Sequence, residues 1–421
     1  MSIEHPASGG TPPSLAREES GKQRPRPLPI VVLVVLGALV ALGPLSTDAY
    51  VPGLPRLAND LHASASAAQL SVTTCLIGLA TGQLVAGPLS DALGRRRPLL
   101  AGVAVYAGAG IFCAIAPDVA VLDLLRGLQG LGGAFVLVVA YAYVRDSAAG
   151  PAAARTFSAL LLVTGLAPVL APLAGGGLLA IVGWRGIFVA LAVLSATVLV
   201  ASAAALPESL PPSRRAVGGS RSAASVYAHL LRDRALLGYA LVNALVFAAM
   251  FVYISGSPFV LQHLFGLSPQ QYALVFAVNA VGLVAAAQVS GRLVERLLPQ
   301  ALLTAGVIGA CVGGVALLLA TGAGAGLWPT LTALFVVVSS VGLVLPNAAA
   351  LALDQHGANA GSASAILGCG QFLLGGLLAP LAGVGGAGTA LPMSGVIAAL
   401  TVAAVLTLLA VFHAPRRAAG R

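Results

Sequence analysis

The chain has 421 residues, of which 58% are hydrophobic and only 8% are charged. Soluble domains carry about 25% charged residues, so this composition excludes a soluble enzyme and indicates an all-α integral membrane protein. The net charge of +9 raises the question of a nucleic-acid partner. No basic stripe interleaved with aromatic residues is present, and the arginines fall mainly between apolar runs, which argues against one.

Twelve apolar runs are long enough to cross a bilayer as helices, which takes about 20 residues each. The predicted spans are 29–52, 67–89, 98–117, 119–143, 156–182, 185–206, 235–262, 270–291, 299–321, 327–352, 359–384 and 388–413. Residues 1–27, rich in Pro, Ser, Gly and charge, are predicted to be a disordered tail. The first run is too long for a signal peptide and is interpreted as a retained helix.

Positive charge in the loops predicts the orientation of the chain. Of the 22 Lys and Arg residues, 19 fall on the side of the amino terminus, and the outer loops carry only Arg56 and Arg185. Because Lys and Arg accumulate in cytoplasmic loops, both termini are expected in the cytoplasm of a multi-pass protein of the cell inner (plasma) membrane.

Ionisable residues inside the apolar runs point to function, because each costs at least ~2.5–3.5 kcal/mol at the centre of a membrane helix. Asp48 lies in the outer half of the first predicted helix, and Asp123 and Arg126 lie one turn apart in the fourth. Two other interpretations stay open. Asp48 can be a helix-end carboxylate in interfacial water, and Arg126 can form a structural ion pair with Asp123.

A short basic loop joins the second and third predicted helices. Its residues with a predicted role are Gly87, Asp91, Gly94, Arg95 and Arg96. Asp91 can accept hydrogen bonds from backbone amides or from the arginines that follow it, and the two glycines permit close backbone contact. Anchoring at the inner membrane face alone would explain the arginines but not the spacing of Asp and Gly.

The fifth predicted helix carries prolines and small residues in close succession. Its motif consists of Ala171, Pro172, Gly175 and Gly176, and residues 371–380 of the eleventh helix are its counterpart. Proline bends a helix and small residues let it press on a partner, so this helix can make a seal. Ordinary small-residue packing is the alternative.

A polar interval at 207–234 divides the chain into six-helix halves at 28–206 and 235–414, followed by a tail at 415–421. Transporters built in this way hold their substrate between the halves. The residues expected to line that cavity are apolar, aromatic or amide-bearing. They are Tyr50, Asn243, Phe247, Phe251, Tyr253, Asn279, Asn347 and Gln371.

The basic loop resembles the signature of the major facilitator superfamily of transporters. Within it, the segments 46–55, 253–260 and 345–348 resemble the Bcr/CflA branch of drug:proton antiporters, the drug resistance transporter family. The resemblance covers about residues 30–385. It implies the major facilitator fold, with twelve helices in two pseudo-symmetric halves.

The resemblance also implies roles for single residues. Asp48 would handle the proton with Arg126 opposite it, and the basic loop would form an inside latch that favours the outward-open state. Val40 stands where some relatives carry a second acidic residue, so a two-carboxylate mechanism is not carried over. The fifth-helix motif resembles an exporter signature, with Ala171 in place of its first glycine.

The predicted function is secondary active efflux of small amphiphilic drugs or antibiotics in exchange for protons, of the multidrug, bicyclomycin or chloramphenicol-resistance type. A proton-coupled metabolite or sugar transporter of the same fold is the alternative, and a non-transporting receptor is a further one. The partners expected of a monomer are a small molecule, protons and the lipid bilayer, without nucleic acid. No nucleotide loop, catalytic triad or metal-binding pattern occurs in the sequence, so neither an enzyme nor a cofactor or metal is expected.

Overall fold

The structure is a computed structural model that describes residues 28–148, 150–215, 219–354, 356, 360–386 and 388–413. The described part is built from helices, as the composition predicts. The predicted tails at 1–27 and 415–421 lie outside the described residues.

The helices fall into two sets of matching order on either side of a linker. The first set is α1 (Ile30–Asp48), α2 (Leu54–Asp60), α3 (Ala65–Leu93), α4 (Arg96–Ala114), α5 (Val119–Ser147) and α6 (Gly150–Ala205). The linker contains α7 (Gly219–Leu230). The second set is α8 (Arg234–Phe259), α9 (Pro269–Leu293), α10 (Pro299–Gly322), α11 (Leu327–Leu353), α12 (Ala360–Leu378) and α13 (Leu391–His413).

The described residues contain eleven helical stretches that are long and apolar enough to span a bilayer, and one of them crosses it twice. One stretch, Arg155–Ala205, has 51 residues, which is more than twice the length of a single crossing. Gly183 interrupts it with φ 68°, a backbone conformation that glycine adopts readily and other residues avoid. The chain therefore turns there and crosses twice, at the boundary predicted between 182 and 185.

Two elements depart from the prediction. The first helix was expected over 29–52 but ends at Asp48, and the chain continues as a short 3-10 turn (Val51–Gly53) and α2. Pro52 has no backbone N–H to donate to the carbonyl of Asp48, so the α-helical ladder cannot continue. The linker was expected to be a polar interval, yet α7 forms within it.

The two ends of the bundle are named here by their charges. The arginine-rich end holds Arg95–Arg97 and Arg145, and the opposite end holds Asp60 and Trp328. Hydrogen bonds cross between the two halves towards the opposite end. Gln262 donates to the Pro52 carbonyl (3.0 Å), and Thr73 donates to the Gly376 carbonyl (2.8 Å).

Backbone contact between α3 and α5 gives the first half its tightest helix pair. A Cβ at Gly130 would overlap the carbonyl group of Cys75, and one at Gly78 would overlap the carbonyl of Gly127. The second half repeats this contact, since a Cβ at Gly342 of α11 would overlap the carbonyl of Leu283 in α9. Small residues thus bring the helices together in the absence of a strong hydrophobic driving force.

We predict that Gly130→Ala destabilises the protein by about 1–3 kcal/mol, because its methyl group has no space against the Cys75 backbone. Thermal unfolding in detergent measures this as a lowered midpoint. Gly108→Ala is the matched control, since a Cβ there meets no atom within 4 Å. Equal midpoints for the two variants would contradict the packing described for α3 and α5.

Candidate functional site

The guanidinium of Arg126, on α5, lies in the interior with no exposed surface. Its Nη2 donates to the Ser46 carbonyl of α1 (3.1 Å), its Nε to the Ser71 carbonyl of α3 (3.4 Å), and its Nη1 to the Gln129 Oε1. Its other contacts are aromatic, because it lies 4.6 Å from the Tyr50 ring centroid and 5.7 Å from that of Phe188. Neutral carbonyls and ring faces therefore hold this cation.

Asp48 lies at the end of α1, and only 4% of its surface is exposed. The alternative of a carboxylate in interfacial water does not hold, because the second half covers this end of the helix. Tyr253 and Tyr272 of α8 and α9 lie within electrostatic range of Asp48. Asp48 forms no ion pair with any described residue. It is thus a buried carboxylate at the boundary between the two halves.

Asp123 lies one turn before Arg126, yet the structural ion pair considered for the two residues is absent among the described contacts. One buried oxygen of Asp123, Oδ1, has no hydrogen-bond partner there. The Arg126 side chain reaches the carbonyls of Ser46 on α1 and Ser71 on α3 instead.

Six of the eight residues expected to line the substrate cavity contact one another in pairs. Asn279 donates to the Tyr253 hydroxyl (2.9 Å), and Asn243 donates to the Gln371 Oε1 (2.9 Å). Phe247 packs against Phe251, with ring centroids 4.8 Å apart. The two hydrogen bonds tie α8 to α9 and to α12 within the second half.

The other two make polar contacts with residues outside the set. Tyr50 shares a hydrogen bond with the Ser71 hydroxyl (3.0 Å), and Asn347 donates to Ser290 (2.7 Å). Both side chains are buried. Asn347 therefore joins α11 to α9, and Tyr50 joins the segment after α1 to α3.

A cavity of about 740 Å³ lies at the arginine-rich end, between the two halves and α7. It reaches the surface there, since Ala92 and Arg145 are exposed. Its lining includes none of the eight predicted residues. The side chains that shape it are Gln83, Asp91, Tyr141, Arg145, Phe157, Tyr227, Ser362 and Ser364.

Sequence reasoning named Asp91 as a latch residue and missed the other side chains that shape the cavity, for which one signal was available. The linker helix α7 contributes Tyr227 to the cavity, while Val226 and Leu230, which are four residues apart, pack on one hydrophobic cluster. An apolar pair at that spacing is typical of one helix face. The interval 207–234 could thus have been read as containing a helix that packs on the bundle.

The charged residues of the predicted latch form a network centred on Arg95, of which only 4% is exposed. Its Nε donates to Asp146 (2.7 Å), while its Nη1 donates to Ser90 (2.8 Å) and to Asp91. Arg96 donates to the carbonyls of Ala203 (2.6 Å) and Leu206 (3.0 Å). These contacts join α3, α4, α5 and the end of α6.

Glu208 ties the linker to the same network. It accepts hydrogen bonds from the backbone N–H of Arg95 (2.7 Å) and of Leu210 (3.0 Å). Partial burial alone would raise the pKa of Glu208, but these hydrogen bonds, that of the Arg96 amide and the Arg215 guanidinium together hold it below its usual range. The carboxylate therefore stays charged at neutral pH.

The two glycines of the basic loop behave differently. Gly94 has φ 90°, and a Cβ there would overlap the Glu208 carboxylate, so the close contact expected of it is present. The same expectation for Gly87 fails, because a Cβ there would meet no atom within 4 Å. Gly87 instead lines the cavity. Among the described residues the network has no member in the second half, so these contacts do not join the two halves at the arginine-rich end.

The fifth-helix motif lies in the part of α6 before Gly183, and its Ala171 and Pro172 are buried. A Cβ at Gly175 would overlap the Ala49 carbonyl, and one at Gly176 would lie 3.0 Å from the Cβ of Ala273 in α9. Gln270 of α9 also donates to the Gly176 carbonyl (3.3 Å). The motif thus presses α6 against the end of α1 and against the second half.

Comparison with known proteins agrees with this architecture. The model of the Major Facilitator Superfamily matches residues 36–380. An uncharacterized MFS-type transporter of Bacillus subtilis strain 168, YdgK, is 36% identical over 96% of this chain and 98% of its own. A bicyclomycin resistance protein homolog of Haemophilus influenzae is 28% identical over 89% of this chain and 94% of its own. The multidrug resistance protein MdtL of Escherichia coli is 32% identical over 59% and 62%.

Solved structures share the fold at lower identity. The crystal structure of a D-xylose-proton symporter matches with a TM-score of 0.70 at 18% identity, over 90% of this chain and 96% of that one. A bacterial homolog of the human lysosomal transporter Spinster, in an inward-facing and occupied conformation, matches with a TM-score of 0.71 over 90% and 95% at 18% identity. The helical architecture and the match over most of the chain show that this protein belongs to the major facilitator superfamily of transporters.

Proposed function

We propose that this transporter exports small amphiphilic compounds in exchange for protons. The observation that carries the proposal is the state of Asp48, a buried carboxylate between the halves that has no ion pair among the described residues. A carboxylate fixed by an ion pair would keep its charge throughout a transport cycle. One that is unpaired can exchange a proton when the surroundings change, and so couple proton movement to the motion of the halves.

Arg126 supports this assignment from the neighbouring position. Because its hydrogen bonds go to neutral groups, its positive charge is not cancelled by a salt bridge and acts on Asp48 from beyond contact distance. A proton entering from the opposite end would neutralise Asp48, and its release towards the arginine-rich end would restore the charge. Substrate and proton would then use the same central region in turn.

The direction of transport rests on two further observations. The α6 motif packs against α9 towards the opposite end, which is the arrangement expected of a helix that closes one state of an exporter. Two relatives are named for resistance, the bicyclomycin resistance homolog and the multidrug resistance protein. Neutral compounds such as bicyclomycin and phenicols are therefore the first substrates to test.

We predict that Asp48→Asn abolishes uphill accumulation of chloramphenicol in everted vesicles with an acidic lumen, while binding of this neutral substrate persists. The variant mimics the protonated state and cannot release a proton. We expect a loss of at least about tenfold, with a milder loss for Asp123→Asn. Asp118→Asn is the matched control, since Asp118 is exposed and asparagine replaces aspartate well as an N-cap.

Unchanged accumulation and pH dependence in Asp48→Asn would show that the proton travels elsewhere. Accumulation of sugar or metabolite in right-side-out vesicles with acid outside, and none of drug in everted vesicles, would instead support import. No accumulation in either preparation, with intact protein, would favour a receptor.

The proposed orientation places the arginine-rich end in the cytoplasm. We predict that Glu295→Cys, in a cysteine-free background, is labelled by an impermeant maleimide only in everted vesicles. Trp328→Cys, at the opposite end and 77% exposed in the native protein, should be labelled only in intact cells. The reverse pattern would invert the topology and the direction of the proton path.

We predict that Arg95→Gln slows transport by about tenfold, because it leaves Asp91 and Asp146 without their shared partner. Asp91→Asn should slow transport less, since Arg95 keeps Asp146 and Ser90. Initial rates per inserted protein measure both effects. Arg97→Gln is the control, as Arg97 is exposed and forms no described contact. Equal rates for Arg95→Gln and Arg97→Gln would reduce the basic loop to a topology signal.

A further inference from the structure

Arg145 is an exposed cation in the wall of the cavity at the arginine-rich end. It forms no hydrogen bond or ion pair with any residue that the structure describes. Two acidic side chains of the network, Asp91 on α3 and Asp146 on α5, both bind Arg95. Among the residues that line the cavity, the charged ones are Asp91 and Arg145, and only Arg145 has a charge without a partner.

Aromatic surface lies beside this cation. Tyr141 and Arg145 are four residues apart on α5, and so they share a helix face. The Tyr141 ring stacks on Phe157 of α6, with centroids 6.1 Å apart and an angle of 10° between the ring planes. All three residues line the cavity, and both rings are only partly buried. The stacked rings of Tyr141 and Phe157, called here the shelf, therefore lie beside the unpaired Arg145 guanidinium in one wall of the cavity.

The rest of the lining is polar, and its acidic side chain, Asp91 on the same α3 face as Gln83, is bound by Arg95. Gln83 of α3, Tyr227 of α7 and Ser362 of α12 contribute an amide and two hydroxyl groups. Such groups can donate to an anion but do not supply the negative charge that an organic cation would need. The wall charges thus favour one sign of ligand, because opposite charges in a partly enclosed site attract more strongly than in water.

We propose that this cavity binds aromatic amphiphiles that carry a carboxylate or sulfonate, with the anionic group on Arg145 and the ring system on Tyr141 and Phe157. The proposal rests on the proposed function, to whose amphiphilic substrates it adds an anionic class. Guanidinium groups bind carboxylate and related anions through paired, charge-assisted hydrogen bonds, while stacked rings hold the apolar body of the ligand. Arg145 therefore favours ligands with a negative charge, and the two rings of the shelf favour ligands with a flat apolar body.

Binding can be measured with two fluorescent probes that differ mainly in charge. Anilinonaphthalene sulfonate is the anionic probe and phenylnaphthylamine is its neutral counterpart. The full-length protein is placed in nanodiscs of phosphatidylcholine, with no proton gradient. Arg145→Gln should weaken binding of the sulfonate by about tenfold and that of the neutral probe by less than about twofold. Phe157→Leu should weaken both probes, and added salt should weaken only the sulfonate.

Arg155→Gln is the matched control, because Arg155 is exposed on α6 and does not line the cavity. Unchanged unfolding midpoints for all variants show that each protein is folded. Equal loss of both probes in Arg145→Gln, or equal loss of the sulfonate in Arg145→Gln and Arg155→Gln, would overturn the proposal.

A second arm separates a soluble ligand from a lipid headgroup. Phosphatidylglycerol added to the nanodiscs should leave sulfonate binding unchanged if the cavity takes soluble anions. Displacement of the probe by this lipid, lost in Arg145→Gln, would assign the site to lipid instead. Binding is measured without a proton gradient, so it tests the ligand class separately from export. If the probe does not bind but proton-driven export is intact, only the proposed ligand class is wrong. Binding without any export would remove the proposed function.

Discussion

A cation with no access to solvent has to be satisfied by the protein itself, and Arg126 meets this constraint at the centre of the first half. Its partners include the carbonyls of Ser46 on α1 and Ser71 on α3. Because Arg126 belongs to α5, these hydrogen bonds hold α1, α3 and α5 together around its guanidinium. The approach of α5 to α3 that they require is possible only where glycines such as Gly130 leave room. Helix spacing and the electrostatic field at Asp48 therefore depend on the same contacts.

The halves meet in different ways at the two ends of the bundle. Towards the opposite end, the contacts are small residues and carbonyl acceptors, as where Gly176 of α6 meets α9 and Thr73 of α3 donates to Gly376. Such contacts need little side-chain rearrangement to separate and form again. At the arginine-rich end a cavity lies between the halves. This asymmetry is what a mechanism of alternating access requires, because only one end of the site should open at a time.

The arginine-rich end is braced within the first half. Arg95 joins α3 and α5 through Asp91 and Asp146, and Glu208 brings the linker against the turn between α3 and α4. The linker is thus part of the cavity's surroundings, since its helix α7 supplies Tyr227. Motion of the second half would move the linker, and through it the wall of the cavity.

Some features follow from the sequence because their physical cause is local. The twelve spans follow from the length of the apolar runs, and the boundary within Arg155–Ala205 coincides with a glycine whose conformation other residues avoid. Asp48 and Arg126 stand out because ionisable residues are costly inside such runs. Gly94 stands out by its place in a short turn before three arginines, but its contact partner Glu208 is distant in sequence. The end of the first helix was missed, although the cause, Pro52, was present in the sequence.

The partners of these residues were decided by the tertiary structure. Asp123 is the acid nearest to Arg126 in sequence, yet Arg126 binds carbonyls of α1 and α3. The cavity is lined by Tyr141, Phe157 and Tyr227, whereas Tyr253 and Asn279 form a buried pair. The reason is that membrane helices are apolar around most of their circumference, so hydrophobic periodicity does not indicate which face turns inward. Rotation, tilt and distant contacts between helices determine that, and no local pattern encodes them.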